Sequence, residues 1–329
     1  MKVFVTGGTG LLGNNILRQL SDQGHSLVSL VRGQVDDSIF DGIETEFVHG
    51  DLSDVGILSK AIASCDAVIH SAAMIHLGWT KLDESMQANR DGTRTIVDAC
   101  IDNRAKLVYV GTVNTLALGT PAQPANEDTP IEPAVEQVPC SYVTSKRGGV
   151  REVESGIQRG LRASIVHPGF MLGPWDWKPS SGRMMLEIAR NWTPIAPSGG
   201  TSLCDARDVA AATIAAIDRG KDDGRQFVLA GHNMTYRDLW NEMSVRMKTQ
   251  KPLMTAGPLQ RWLGGVGGDL VTKITGKELD VNSAGVRMSS QYHWYDSTRA
   301  ITELGYQIRD ANETLDACAD WIRKHHLLG

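Results

Sequence analysis

Tyr142 and Lys146 bracket the segment Tyr-Val-Thr-Ser-Lys, and their four-residue spacing puts a phenol and an ammonium on one helix face. A phenol titrates near ~10. A unit positive charge about 4 Å away, at an effective dielectric of ~20, is worth roughly 4 kcal/mol, which lowers that value by up to about three pH units. Such a pair can move a proton to or from an oxygen near neutral pH. A third group must hold that oxygen; Thr112, just past the apolar run Lys106 to Val110, is placed for it, and Asn114 is the competing candidate.

The elements that would position these groups start at the N-terminus. Lys2 to Val5 reads as a strand and passes through Thr6-Gly7-Gly8-Thr9-Gly10-Leu11-Leu12-Gly13 into the helical pattern Asn14 to Leu20. Strand, glycine turn and helix in that order suit a dinucleotide, because glycine reaches backbone angles a Cβ forbids and the pyrophosphate then faces a helix N-terminus. Ser26 to Val31, Phe47-Val48, Ala67 to His70, Lys106 to Val110 and Ala163 to Val166 are further strand candidates, alternating with helical patterns such as Val55 to Ala63 and Gly92 to Cys100. That alternation predicts an α/β fold, a Rossmann-type doubly wound parallel sheet, with a smaller and mostly helical substrate-binding lobe. In it, Tyr142 and Lys146 fall beside the carboxyl ends of the strands, where ligands bind. An oxidised nicotinamide there would lower the phenol further by its charge, and Lys146 would also bond the ribose hydroxyls.

His167-Pro168-Gly169 is expected to end the sixth strand. Helical pattern resumes at Asp205-Ala-Arg-Asp208 and is followed by the strand-like Gln226 to Ala230, so the nucleotide-binding domain reads as discontinuous: residues 1–168 with 204–231, against a substrate-binding or cap region of 169–203 with 232–329. Residues 258–282 mix glycines with apolar residues, which reads as a mobile cap over a pocket, with a basic amphipathic membrane-surface helix as the rival reading of 258–277, whose charges are few and mixed.

The 329 residues are 41% hydrophobic and carry a formal net charge of −5, with no Lys/Arg-rich run, so a nucleic-acid partner is not expected. Five scattered cysteines without C-x-x-C spacing read as buried thiols in a reducing compartment, and the histidines show no metal-ligand pattern. With no leader-like N-terminus and no apolar span long enough to cross a bilayer, the expectation is a cytoplasmic protein without membrane insertion.

Taken together, Gly7-x-x-Gly10-x-x-Gly13, Asp51-Leu52, His70-Ser71-Ala72-Ala73, Asn89 ahead of Gly92-Thr93, the Tyr142 and Lys146 pair, and His167-Pro168 leading to Gly173-Pro174 resemble the extended short-chain dehydrogenase/reductases over nearly the whole chain. Val31-Arg32, Gly173-Pro174-Trp175-Asp176 and Leu304-Gly305-Tyr306 look most like the dihydroflavonol-4-reductase-like branch. The resemblance implies a catalytic set of Tyr142, Lys146 and Thr112. It implies a cofactor trough of Gly7, Thr9, Gly10, Leu11, Leu12, Gly13, Arg32, Asp51, Leu52, Ser71, Ala72 and Ala73, closed by Tyr142, Lys146, Pro168, Gly169 and Met171. Homodimers built through two helices per subunit are common in that family. Many relatives carry paired serines where this chain has Gly111-Thr112-Val113-Asn114, and the acidic pair of the sugar dehydratases is missing, which disfavours dehydration.

The residue ending the second strand chooses the cofactor: an acid accepts from a ribose 2′-hydroxyl, an arginine pairs with a 2′-phosphate. Arg32 favours NADP (NADPH), with NAD the alternative. His76, Asn114, Phe170 and Trp175 are candidate substrate contacts, and the aromatic rings suggest an apolar or ring-containing substrate; packing competes with that role at each, most of all at Trp175 beside Pro174. The leading expectation is a carbonyl reductase or the reverse alcohol dehydrogenase acting on a small molecule. A nucleotide-sugar epimerase that retains NAD is the rival, and a non-catalytic NADP sensor is disfavoured by the intact Tyr142 and Lys146 pair.

Overall fold

The computed structural model describes residues 1–132 and 137–327. Strands β1 (Lys2–Thr6), β2 (Ser26–Val31), β3 (Glu46–His49), β4 (Ala67–His70), β5 (Lys106–Val110) and β6 (Ala163–Pro168) are each a short, largely apolar run. They are joined by helices α1 (Leu11–Asp22), α2 (Val55–Ile62), α3 (Leu82–Met86), α4 (Gly92–Asn103) and α5 (Ser141–Gln158), with a single π-helical turn at Gln87–Asp91 between α3 and α4. Then follow β7 (Phe170–Leu172), α6 (Gly182–Arg190), β8 (Ile195–Ala196), β9 (Gly200–Asp205), α7 (Ala206–Asp218), β10 (Asp223–Leu229), β11 (His232–Thr235), α8 (Tyr236–Met247), β12 (Met254–Thr255), α9 (Pro258–Thr275), α10 (Ser283–Met288), β13 (Tyr292–His293), α11 (Thr298–Leu304) and α12 (Ala311–Ile322).

Seven strands form one parallel sheet in the order β10-β6-β5-β4-β1-β2-β3. Being covered on both faces, its strands bury alternate residues in opposite directions. Val3, Val5, Ile69, Val108 and Val110 join a core with α1, α7 and α11, whereas Phe4, Val68, Leu107 and Tyr109 join one with α2, α4 and α5. The Rossmann-type expectation is met, and strand order reverses between β1 and β4, where a crevice opens at the carboxyl ends.

A second sheet centres on β9, with β11 antiparallel on one side and β7 and β13 parallel on the other; β8 and β12 make a separate pair. Its core is Leu172, Met185, Leu203, Leu239, Met243 and Ile322, drawn with others from α6, α8 and α12. Pro168 ends β6, as its sequence position predicts, and pairs with Leu229, because β5 has already left the sheet on the side its missing N–H would face: Gly111 makes the last bond there, to Val166. Ala300, Leu304 and Tyr306 rejoin the core of the large sheet, so the C-terminal region does not pack with the second sheet alone.

Candidate active site

The glycine turn between β1 and α1 is built by close approach. Gly7 adopts φ +78°, and its carbonyl accepts from Gly10 N at 2.9 Å. A Cβ on Gly13 would lie 2.1 Å from that same carbonyl oxygen, so only glycine lets α1 begin against the turn. Gly10 caps α1 without a side-chain bond, and the first turn holds no acid, which leaves the amide ends and the positive helix pole facing outward for an anion. Thr9 is half-buried, and Leu11 and Leu12 point into the core.

Across the crevice, Ser71 Oγ donates to Thr6 O (2.7 Å) and Ala72 N donates to Thr6 Oγ1 (3.1 Å), which pins Ser71-Ala72-Ala73 beside Gly7. Because Thr93 Oγ1 gives its proton to Asn89 O, it accepts from His70 Nε2, which leaves Nδ1 to accept from Thr6 Oγ1 at 2.7 Å. Burial pushes His70 down to about 3, with the Lys146 charge adding to it, so the ring is neutral and its Nε2–H donates to Thr93 Oγ1 (3.2 Å), which donates to Asn89 O (2.6 Å). The adenine side is open: Asp51 accepts from Ser53 N (3.1 Å), Leu52 lies under Gly92, where a Cβ would come within 2.8 Å of it, and the exposed Arg32 stands 3.9 Å from Asp51.

Tyr142 sits in the first turn of α5, its amide donating to His76 O (3.2 Å), and its hydroxyl is hydrogen-bonded to that of Thr112. Lys146, one turn on, donates to Val110 O (2.7 Å) and lies 4.5 Å from the centre of the Tyr109 ring. Thr112 caps the short turn Val113–Thr115, its hydroxyl accepting from Asn114 N at 3.3 Å, and His167 Nδ1 donates to its carbonyl (3.1 Å). The structure thus brings Tyr142, Lys146 and Thr112 together and uses the Asn114 backbone to orient Thr112. Burial pushes the Tyr142 phenol above its ordinary value; the Lys146 charge and the Thr112 hydroxyl oppose this without reversing it. That corrects the depression expected from the charge alone: the ring's loss of water outweighs the ammonium. Burial likewise lowers Lys146, to about 8.

The sequence profile of the NAD dependent epimerase/dehydratase family matches residues 3–230. The chain belongs to this family. Along 98% of its length it is 31% identical to a protein from Synechocystis sp. named "Putative dihydroflavonol 4-reductase", 94% of which is covered. It is 25% identical to the sterol demethylase protein B of Methylococcus capsulatus, with both chains covered completely. The crystal structure of gox2253 superposes with a TM-score of 0.85 at 30% identity over 99% of each chain. As a member of the NAD dependent epimerase/dehydratase family, of the extended short-chain dehydrogenase/reductase type, the protein is an NAD(P)-dependent oxidoreductase.

The residues considered for the substrate side are placed less uniformly. His76 Nε2 is 2.7 Å from Glu278 Oε2, so its ring is engaged in a latch. Phe170 packs on the core of the second sheet and Met171 on that of the large one; Gly169 donates to Leu229 O, and a Cβ there would lie 2.6 Å from Ser202 O. Trp175 packs against Arg18, 3.4 Å from its ring centre, and against Trp321, the packing role that its place beside Pro174 favours.

Sequence reasoning missed two residues that organise the site. Asn89 reads as part of a motif, yet its buried side chain holds Met74 N (2.7 Å), Met74 O (2.8 Å) and Ser145 Oγ (2.9 Å), tying the loop after β4 to α5. The π turn that carries it is the local signal of a functional bend. Glu278 gives no sequence signal; it accepts from Trp79 N (2.8 Å) and Thr80 N (3.1 Å) as well as bonding His76 and the Thr80 hydroxyl.

Proposed function

We propose that the protein reduces the carbonyl of a small, ring-containing or otherwise apolar substrate using NADPH, and that it catalyses the reverse oxidation under the opposite substrate balance. The observation that carries this reading is the Tyr142 hydroxyl, bonded to Thr112, backed by Lys146 and held protonated at neutral pH. A phenol raised in this way is suited to give its proton to an oxygen on which charge develops. Thr112 would hold that oxygen by a hydrogen bond, and Lys146 would keep the phenol from rising further while bonding the ribose hydroxyls of the nucleotide. The nicotinamide supplies the hydride when bound. The substrate carbon gains the hydride and its oxygen gains the Tyr142 proton, which water then restores.

The Gly7 and Gly13 contact and the open N-terminus of α1 fit a pyrophosphate. Arg32 supports NADPH over NADH: its exposed guanidinium follows β2 directly, where a 2′-phosphate would lie. Release of any co-purified nucleotide, identified by mass spectrometry, with fluorescence titration of NADPH and NADH into the emptied protein, tests the proposal. An exchangeable site that prefers NADPH is the expected result. Tightly retained NAD would point to an epimerase and remove the Arg32 argument.

A further inference from the structure

Helix α9 is oriented the opposite way from an ordinary surface helix. Its small face is turned inward: Gly265 and Gly268 are buried, and a Cβ on them would lie 3.2 Å from Ser283 Cα and 1.8 Å from Val281 O. Its large apolar side chains, Leu259, Trp262, Leu263, Val266, Leu270, Val271 and Ile274, are all exposed, Ile274 by 74%. At 100° per residue all of these but Val271 fall in one stripe about 120° wide, with Gly268 opposite its centre and Gly265 flanking it. Packing has therefore been satisfied by the glycines, and the stripe is left for something outside the chain.

The charges indicate what that is. Residues 258–282 carry Arg261, Lys273 and Lys277 against Asp269, Glu278 and Asp280, but two of the acids are taken up within the fold, Glu278 by His76 and Thr80 and Asp280 by Arg183. Asp269 already accepts from Ser283 N (3.0 Å), while Lys273 and Lys277 are exposed near the C-terminal end of the stripe. A second copy would bring the two cationic segments together; an anionic lipid surface would receive the apolar stripe and the lysines at once. Exposed Trp79, whose Nε1 donates to Ser283 Oγ (2.7 Å) beside α10, adds a second indole of the kind that settles at a lipid headgroup layer. Among the described residues no helix is long and apolar enough to cross a membrane, so the contact would be peripheral.

We infer that the exposed face of α9 docks the protein onto anionic lipid bilayers. This rests on the geometry of α9 and is independent of the reductase reading. The loop 76–80 links the docked face to the site: Asn282 Nδ2 donates to Leu77 O (3.1 Å), and Gly78 O and His76 O accept from Ser141 and Tyr142. The test is co-sedimentation of the full chain with vesicles of phosphatidylcholine alone and of phosphatidylcholine mixed with phosphatidylglycerol. The two exposed lysines, each worth about a factor of five, give a roughly thirtyfold preference for the mixed vesicles, weakened by salt. The double variant Leu263→Glu/Leu270→Glu should lose vesicle binding while keeping the wild-type melting temperature and nucleotide affinity. Absence of the wild type from both vesicle pellets would overturn the inference, as would unchanged binding of the double variant. A dimer that the double variant splits, found without vesicle binding, would assign the face to a second copy instead.

Discussion

Asn89 donates to Ser145 Oγ at 2.9 Å, and Ser145 Oγ in turn donates to the carbonyl of Tyr142 at 3.0 Å. Tyr142 is thereby held by the same asparagine whose own carbonyl ends the chain of bonds from Thr6 through His70 and Thr93. The end of β1 and helix α5 share one directional network, and networks of this kind fail together when a buried member is lost.

Asn89→Ala leaves the Met74 amide and carbonyl without their partner, at about 1–3 kcal/mol each. The melting temperature should fall, and kcat should fall more than KM rises, because Asn89 positions α5 and touches no substrate. An unchanged kcat in steady-state assays would reduce its role to stability.

Tyr142→Phe keeps the ring and removes the proton. Turnover should drop by about 10²–10⁴, while NADPH binding, measured by fluorescence, stays near wild type. Activity retained by this variant would remove Tyr142 from the mechanism.

Lys146 titrates at about 8 in the free protein, below its ordinary value, because burial disfavours the ammonium. Its charge is present below that pH and lost above it, so kcat/KM for the nucleotide should decline above about pH 8, a limb that Lys146→Met abolishes. Stability moves the opposite way. Between about 8 and the unfolded value of ~10.4 the unfolded chain binds more protons, so folding gains as pH rises through that window. Thermal melts at several pH values would show the two trends diverging.

Burial alone would push the Glu278 carboxyl up, but hydrogen bonds from Thr80, Trp79 and His76 hold it below the ordinary range. Its stabilising contribution is full above the unfolded value of about 4.3 and disappears as pH falls through the folded one. Glu278→Ala should therefore raise the substrate KM several-fold at neutral pH by freeing loop 76–80, with the nucleotide KM unchanged. Equal effects on both constants would argue against a latch on the substrate side.

Arg32→Ala should weaken NADPH by about tenfold and leave NADH unaffected, the scale of one exposed charge-assisted contact. Parallel titrations decide it, and equal losses for both nucleotides would show that Arg32 does not meet a 2′-phosphate.

The sheet was legible because its inner parallel strands are buried on both faces and so read as apolar runs: Ser26–Val31, Ala67–His70 and Lys106–Val110 emerge from sequence with the ends they have in space. The Gly7 and Gly13 turn was legible because only glycine meets its contacts. The Tyr142 and Lys146 spacing was legible too, but not the direction of the phenol's shift, since desolvation depends on residues distant in sequence. Glu278 was invisible for the same reason, reaching His76 across 202 positions. The glycines of α9 read as looseness in a cap; in the structure they are the packed face of a helix, a distinction that requires knowing which side meets Val281 and Ser283.

Trp175 holds a left-handed backbone, φ +71°, which costs a bulky side chain about 1–3 kcal/mol. Its ring is clasped between Arg18 of α1 and Trp321 of α12, with Trp177 4.9 Å and His325 3.9 Å from the Trp321 ring. The first and last helices of the chain are thus joined through a cluster of indoles, and any loosening of that clasp changes the polarity around three of the eight tryptophans at once. The protein carries a built-in optical gauge: its own fluorescence reports whether its two ends are still in contact, with no label attached.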